Sequence, residues 1–256
     1  MNQQPESAIV TGGASGIGKA IVERLVRDGA TVVIADRNGE AAGALADTLG
    51  EHAHAFEVDV TDADGMDRLV AEAVRLAGRL DVMVNNAGMI VVAPVAETDP
   101  ADWRRLIDVN LTGVFLGSRA AARQMIAQGG GGVIVNGSSG AGRRGSANFA
   151  AYCASKAGVI SLTQSLAIEL APQRIRVNCY TPGHIRTPFW ETIADGYARV
   201  SGSSRDAVIE RFRRGIPWGR FGEPEEVANA VAWLVSDEAE YVSGQCLAMN
   251  GAELPW

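Results

Sequence analysis

Short β-branched runs alternate along this chain with longer stretches in which apolar residues recur every three or four positions. Residues 8–11 are apolar and strand-like, and Ile17, Ile21 and Leu25 then share one face of a helix over 16–27. The same alternation predicts strands at 31–35, 53–58, 81–85, 133–136, 174–180 and 245–249. It places helices at 40–49, 63–77, 100–128, 150–171 and 224–235, the 100–128 helix having a glycine-softened middle. Strands separated by helices of this length imply right-handed crossovers and a parallel sheet with helices on both faces. The expected fold is a single-domain, doubly wound α/β sheet of about seven strands over residues 1–256, without internal duplication. One segment does not fit. Residues 187–215 lack a clean strand and are rich in Gly, Ser and charge, more the composition of a substrate lid than of a linker.

The 256 residues suit one such unit, and 47% hydrophobic with 21% charged residues matches a soluble globular protein rather than a disordered or fibrous one. A net charge of −7 and the lack of any basic run argue against nucleic acid as a partner. Residues 1–7 hold no basic stretch leading into an apolar run, unlike a secretory signal. Apolar segments elsewhere fall well short of the ~20 residues a membrane span needs. Cys153, Cys179 and Cys246 are odd in number and widely spaced, so neither a disulfide framework nor a metal-ligand rhythm is expected, and a reducing cytoplasm is the expected location. His52, His54 and His184 share no helix face, and no metal is expected. The bias that remains is 30 glycines against 9 prolines.

Several of those glycines stand where a strand turns into a helix, in Thr11-Gly-Gly-Ala-Ser-Gly-Ile-Gly18. A turn built on Gly12, Gly16 and Gly18, with Ser15 and Ile17 between them, lets the backbone approach a pyrophosphate whose charge the helix amide ends favour. Glycine for positive φ alone would give a similar turn. Asp36 closes the second strand 18 residues after Gly18, where an acid accepts hydrogen bonds from the adenosine ribose and repels a 2′-phosphate. NAD is favoured over NADP on that basis, although the neighbouring Arg37 offers a guanidinium suited to such a phosphate. Further along, Tyr152 and Lys156 stand four apart and project from one helix face. A Lys ammonium beside a phenol favours the phenolate, bringing a group of reference pKa about 10 toward catalytic range. A Tyr and a Lys at this spacing also occur by chance on ordinary helices.

Taken together, the glycine turn, Asn85-Asn-Ala-Gly88, Asn110, Ser139 placed 13 residues before Tyr152, Lys156 and Pro182-Gly183 resemble the short-chain dehydrogenase/reductase family, in order and over nearly the whole chain. The resemblance implies a Rossmann-like fold and a hydride exchange between a nicotinamide cofactor and an alcohol or ketone. It implies Tyr152 as general acid/base, Lys156 as the group that depresses its pKa and holds the nicotinamide ribose, and Ser139 as the hydrogen-bond partner of the substrate oxygen. Asn110 would bend its helix and hold a water linking Lys156 to solvent. Asp59 and Val60 would contact adenine, while Asn86, Ala87 and Gly88 would pass beneath the adenosine ribose. Pro182, Gly183, Ile185 and Thr187 would face the nicotinamide. Asn85 is expected to connect strands, Ser138 to be a turn residue, and Cys153 to be packed rather than reactive.

Substrate choice is expected in 89–93, 140–149 and 184–215. Asn148 and Trp190 are the substrate candidates beside Ser139 and Tyr152, with Arg143 and Arg144 expected in solvent. The stretch from Pro182 to Trp190 is similar to members acting on vicinal diols, acetoin and sugar alcohols. A polyol or diol dehydrogenase is the first expectation, with a 3-oxoacyl-thioester reductase or broad carbonyl reductase as the alternative. A non-catalytic NAD-binding regulator on the same fold is the alternative from another class. It is disfavoured because Asn110, Ser139, Tyr152 and Lys156 are all present. The resemblance further implies a homotetramer, paired through helices at 110–128 and 150–171 and through the last strand, with Trp256 apolar enough to dock against a neighbour.

Overall fold

A computed structural model describes residues 5–255. Residues 1–4 of the N-terminal stretch read above, and the C-terminal Trp256, lie outside the described residues. The chain alternates β1 (Ser7–Thr11), α1 (Gly16–Arg27), β2 (Thr31–Asp36), α2 (Gly39–Leu49), β3 (Ala53–Glu57), α3 (Ala63–Ala77) and β4 (Val82–Asn85). It continues through α4 (Pro100–Ile107), α5 (Gly113–Gln128), β5 (Gly132–Gly137), α6 (Ala150–Leu170), β6 (Ile175–Pro182), α7 (Pro188–Ser201), α8 (Arg205–Arg214), α9 (Pro224–Val235) and β7 (Cys246–Met249).

The seven strands form one sheet in the order β3-β2-β1-β4-β5-β6-β7, and every pairing is parallel. Register places Ile9 between Val33 and Met83. Successive residues then point to opposite faces. Val10, Ile34 and Val84 enter the core beneath α1 and α9, while Ile9, Val33 and Met83 enter the core beneath α3 and α5. Burial on both faces explains why the strands read as continuous apolar runs. Local chemistry sets the helix starts: the Asn38 side chain accepts from the Ala41 amide at 3.0 Å and that of Asp62 from Asp64 at 3.1 Å. Because β1 is flanked by β2 on one side and β4 on the other, the chain reverses its winding there. A crevice opens at the carboxyl ends of the strands.

Two expectations about elements are corrected. The single helix over 100–128 is broken by a π turn at Asp108–Thr112, which separates α4 from α5. The segment 187–215 is without a strand, as expected, but it is mostly the helix pair α7 and α8. The pair is held by ion pairs such as Arg205 to Glu191 at 2.6 Å and by Trp190 and Phe212, whose ring centroids lie 5.0 Å apart. Among the described residues no helix is long and apolar enough to cross a membrane.

Candidate active site

A cavity of about 830 Å³ runs along the carboxyl ends of the strands, from Asp36, Arg37 and Asp59 past the glycine turn to Tyr152 and the aromatic groups of α7. Its first wall is the β1–α1 turn. Gly12 and Gly16 have φ of +61° and +53°, conformations that side chains rarely adopt. Ser15 caps α1 in extended backbone without a side-chain bond, and the first turn of α1 carries no acid, so its amides face the cavity unneutralised. That cradle fits a pyrophosphate. Gly18 serves differently from the expectation. It does not line the cavity, and a Cβ there would fall 2.0 Å from the Gly12 carbonyl oxygen, so it allows helix and turn to pack. The Asn86 amide then ties the turn to β4, donating to the carbonyls of Thr11 at 3.0 Å and Gly12 at 3.1 Å and accepting from the Tyr180 hydroxyl at 2.8 Å. Asn85 connects strands as expected, donating to Ser118 and to Asn136 at 2.9 Å.

At one end of the cavity the Asp36 carboxylate is fixed by the amides of Ala14 at 3.1 Å and Asn38 at 3.0 Å. Asp59 and Val60 lie just beyond β3 and line the cavity. Hydrogen bonds from the Thr61 amide and hydroxyl hold the Asp59 carboxyl below its usual range, and Arg37 and Arg105 add to the effect. Arg104, Arg105 and Asp108 line this end from α4 and the π turn, a contribution no motif announced.

Near the middle, α6 carries Tyr152 and Lys156 one turn apart on the cavity wall. The Ser139 hydroxyl lies close enough to the Tyr152 phenol to act on its ionisation, and its oxygen accepts from the Ala141 amide at 3.2 Å. The Lys156 ammonium donates to the Gly137 carbonyl at 2.7 Å and sits 5.8 Å from the Tyr152 ring centre. Ser138 is more than a turn residue: buried, it donates to the Lys156 carbonyl at 2.9 Å and clamps α6 to β5. Asn110, fully buried in the π turn, accepts from the Met89 amide at 2.7 Å and donates to the Met89 carbonyl at 2.9 Å and to Ser155 at 3.3 Å. It thereby fixes the loop carrying Ala87 and Gly88 against α6.

The protonation states differ from the sequence expectation. Burial pushes the Tyr152 phenol up to about 12, against a smaller lowering from the Ser139 hydroxyl. Burial likewise brings Lys156 down to about 8. Desolvation is the dominant influence on each group, disfavouring both the phenolate and the ammonium.

Pro182, at the end of β6, and Gly183, Ile185 and Thr187 just past it line the cavity, Thr187 standing beside Gly16 across the cleft. Asn148 is displaced from its expected role. It does not line the cavity; with φ of +67° it turns the chain, and its carbonyl accepts from the Ala93 amide at 3.0 Å, leaving Ser146 and Phe149 on the wall. Trp190 lines the cavity but is buried in an aromatic cluster, stacked 4.8 Å from His184 and close to Phe212 and Phe221, and its indole N–H meets no acceptor. Arg143, expected in solvent, is half-buried and donates to the Cys246 carbonyl at 2.6 Å, whereas Arg144 is exposed and edges the cavity. Cys153 packs with Phe149 and Tyr152 in the apolar cluster under α7.

A dinucleotide cradle leading into a Tyr–Ser–Lys cluster, at the carboxyl ends of a doubly wound sheet, defines a nicotinamide-dependent oxidoreductase of alcohols and ketones. A family profile described as enoyl-(acyl carrier protein) reductase matches residues 12–251. The chain is 39% identical over 251 residues to the sorbitol dehydrogenase of Cereibacter sphaeroides, covering 98% of both proteins. It is 39% identical over 253 residues to a diacetyl reductase, (S)-acetoin forming, of Staphylococcus epidermidis, covering 96% of this chain and 97% of that one. A 3-ketoacyl-(acyl-carrier-protein) reductase from Brucella melitensis complexed with NADH superposes with a TM-score of 0.86 at 33% identity, covering 98% of both chains. The protein belongs to the short-chain dehydrogenase/reductase family.

Proposed function

We propose that this enzyme uses NAD(H) to interconvert a secondary alcohol and a ketone in a sugar alcohol or vicinal diol. The observation that carries the reading is that Ser139, Tyr152 and Lys156 come together on the cavity wall at the point where the dinucleotide cradle meets the apolar end of the cavity. A substrate oxygen seated between the Ser139 and Tyr152 hydroxyls takes hydrogen bonds from both. Tyr152 then accepts the alcohol proton during oxidation and returns it during reduction, and Ser139 follows the oxygen as it changes between alcohol and carbonyl. The nicotinamide supplies the hydride acceptor or donor. Lys156, 5.8 Å from the Tyr152 ring centre, holds the nicotinamide ribose and, when protonated, favours the phenolate by opposite charge. Asn110 keeps the 87–89 loop and α6 in register.

Asp36 supports NAD over NADP. Its carboxylate is held at the strand end by two backbone amides, so it cannot turn away from a 2′-phosphate, while Arg37 and Arg105 stand near Asp59. The helices α7 and α8 serve as the substrate lid. For the wider assembly, Phe115 and Ile126 on α5 and Ile168 on α6 are exposed apolar groups, which supports pairing of these helices in a tetramer. The three free cysteines suit a reducing cytoplasm. The likeness to a 3-ketoacyl reductase keeps thioester reduction as the second reading.

Initial rates over sugar alcohols, butanediols and simple secondary alcohols, with NAD⁺ and NADP⁺ in parallel, test the reading. Oxidation of polyols with NAD⁺ at the highest kcat/KM is expected. Preference for 3-oxoacyl thioesters with NADPH would move the assignment to the second reading, and NAD binding without turnover of any substrate would favour a regulator.

A further inference from the structure

The substrate end of the cavity is largely apolar, walled by Ile90, Phe149, Phe189, Trp190, Ile193 and Phe212. Set into this wall is a polar group that the Ser139–Tyr152 chemistry does not use. His184, just past Gly183, and Glu253, from the tail beyond β7, meet at 3.2 Å, and Arg144 approaches the same carboxylate at 4.0 Å. All three line the cavity.

Their placement is built. His184 is stacked on Trp190, and its backbone carbonyl accepts from the Gly222 amide at 2.9 Å. Glu253 stands in a turn closed by its own amide on the Asn250 carbonyl at 3.1 Å, and Asn250 in turn donates to the Leu254 carbonyl at 2.9 Å. Leu254 packs over Gly140, the residue following Ser139, so the tail brings Glu253 to the reacting end. The Glu253 side chain is only 18% exposed, against 62% for Arg144. Both approaches to the carboxylate fall on Oε1, and Oε2 accepts no hydrogen bond from the described residues. A carboxylate offers about four acceptor positions, and those on Oε2 are left to donors that enter the cavity. The buried indole N–H of Trp190 adds an unmet donor on the same wall.

We propose that Glu253, held by His184 and Arg144, is the specificity residue that accepts a hydrogen bond from a second hydroxyl of the substrate, beyond the carbon that is oxidised. This rests on the polyol reading above and narrows it. Neutral polyhydroxy compounds are favoured, while a purely apolar alcohol or an acyl chain would bring Oε2 no donor in place of the water it displaces. An aliphatic chain fits the aromatic wall but not the carboxylate set into it.

Glu253→Gln tests this, with Glu253→Ala as a second variant and melting temperatures confirming that each folds. The substrates are a vicinal butanediol and the matching butanol without the second hydroxyl. Because a hydrogen bond to a charged group is lost only with the diol, its kcat/KM is expected to fall about tenfold further than that of the butanol, chiefly through KM. Equal losses for the two substrates, or no loss for either, would overturn the inference and leave Glu253 as a support for the tail. Failure of the polyol reading itself appears differently, as a wild-type enzyme that prefers the butanol to the diol. In that case a tryptophan-fluorescence titration of sorbitol into the enzyme with NADH reads Glu253 without turnover. A Kd about tenfold weaker in Glu253→Gln sustains the role, and an unchanged Kd removes it.

Discussion

Replacing Asn110 with alanine removes three hydrogen bonds in one step, those to the Met89 amide, the Met89 carbonyl and the Ser155 hydroxyl. Asn110 is fully buried, so water does not readily take the side chain's place. Ser155 keeps a partner, since its hydroxyl donates to the Tyr152 carbonyl at 2.8 Å, which leaves the two Met89 backbone groups unmet. Both bonds are part-buried; at about 1–3 kcal/mol for each unmet group, partly relieved by water and by relaxation of the loop, the loss is about 3 kcal/mol. For a chain of this size that corresponds to a fall in Tm of about 6–12 °C. The 87–89 loop faces Lys156 across the cavity, so its displacement should also lower kcat by at least about tenfold when assayed well below the melting transition. Thermal unfolding followed by circular dichroism, with kcat measured on the same preparations, checks both halves. A Tm within about 2 °C of wild type would refute the account of Asn110 as the tie between loop and helix. A lower kcat with an unchanged Tm would mean that Asn110 acts on the reaction directly.

Other outcomes follow from the same geometry. Tyr152→Phe is expected to lower kcat by about 10²-fold or more while NAD(H) affinity by fluorescence titration stays within about twofold, because only the proton transfer is lost; wild-type turnover would remove Tyr152 from that role. Asp36→Ala is expected to shift the ratio of kcat/KM for NAD⁺ over NADP⁺ toward NADP⁺ by at least about tenfold, and an unchanged ratio would make Arg37 and Arg105 the deciding groups. Lys156 titrates near 8 in the fold and 10.5 in its ordinary state, so the unfolded chain holds more protons between those values and stability attributable to Lys156 rises with pH across that window. The full difference is about 3 kcal/mol. The Tm of wild type relative to Lys156→Met should accordingly climb from pH 7.5 to about 10, and a flat difference would contradict the burial of the ammonium.

Much of this was readable along the chain because the alternation of strand and helix is a local signal. The buried strands are continuous apolar runs, and Gly12 and Gly16 stand at a strand-to-helix turn that demands positive φ. The bend at Asn110 was implied by the family resemblance, but not its form: residues 108–112 keep helical spacing, and the bond from the Met89 amide to Asn110, 21 positions away, lies beyond any local pattern. The helices of 187–215 were hidden by their Gly, Ser and charge content, since their stability comes from cross-helix ion pairs and aromatic packing rather than from a clean apolar stripe. Asn148 looked like a ligand group by residue type, but its left-handed backbone makes it a turn.

What the sequence determined by itself is the order of the elements, the family, and Ser139, Tyr152, Lys156 and Asp36 as the candidate groups, because these depend on short-range patterns and on fixed offsets within one helix or one turn. Only the tertiary structure decided the electrostatic state of the site and the composition of its far wall. Burial, a property of the whole packed chain, raises the Tyr152 phenol and lowers Lys156 against the attraction that their spacing implied. Glu253, His184 and Arg144 belong to three separate segments, and they meet because the tail past β7 folds back over the strand ends, a juxtaposition that no local pattern encodes.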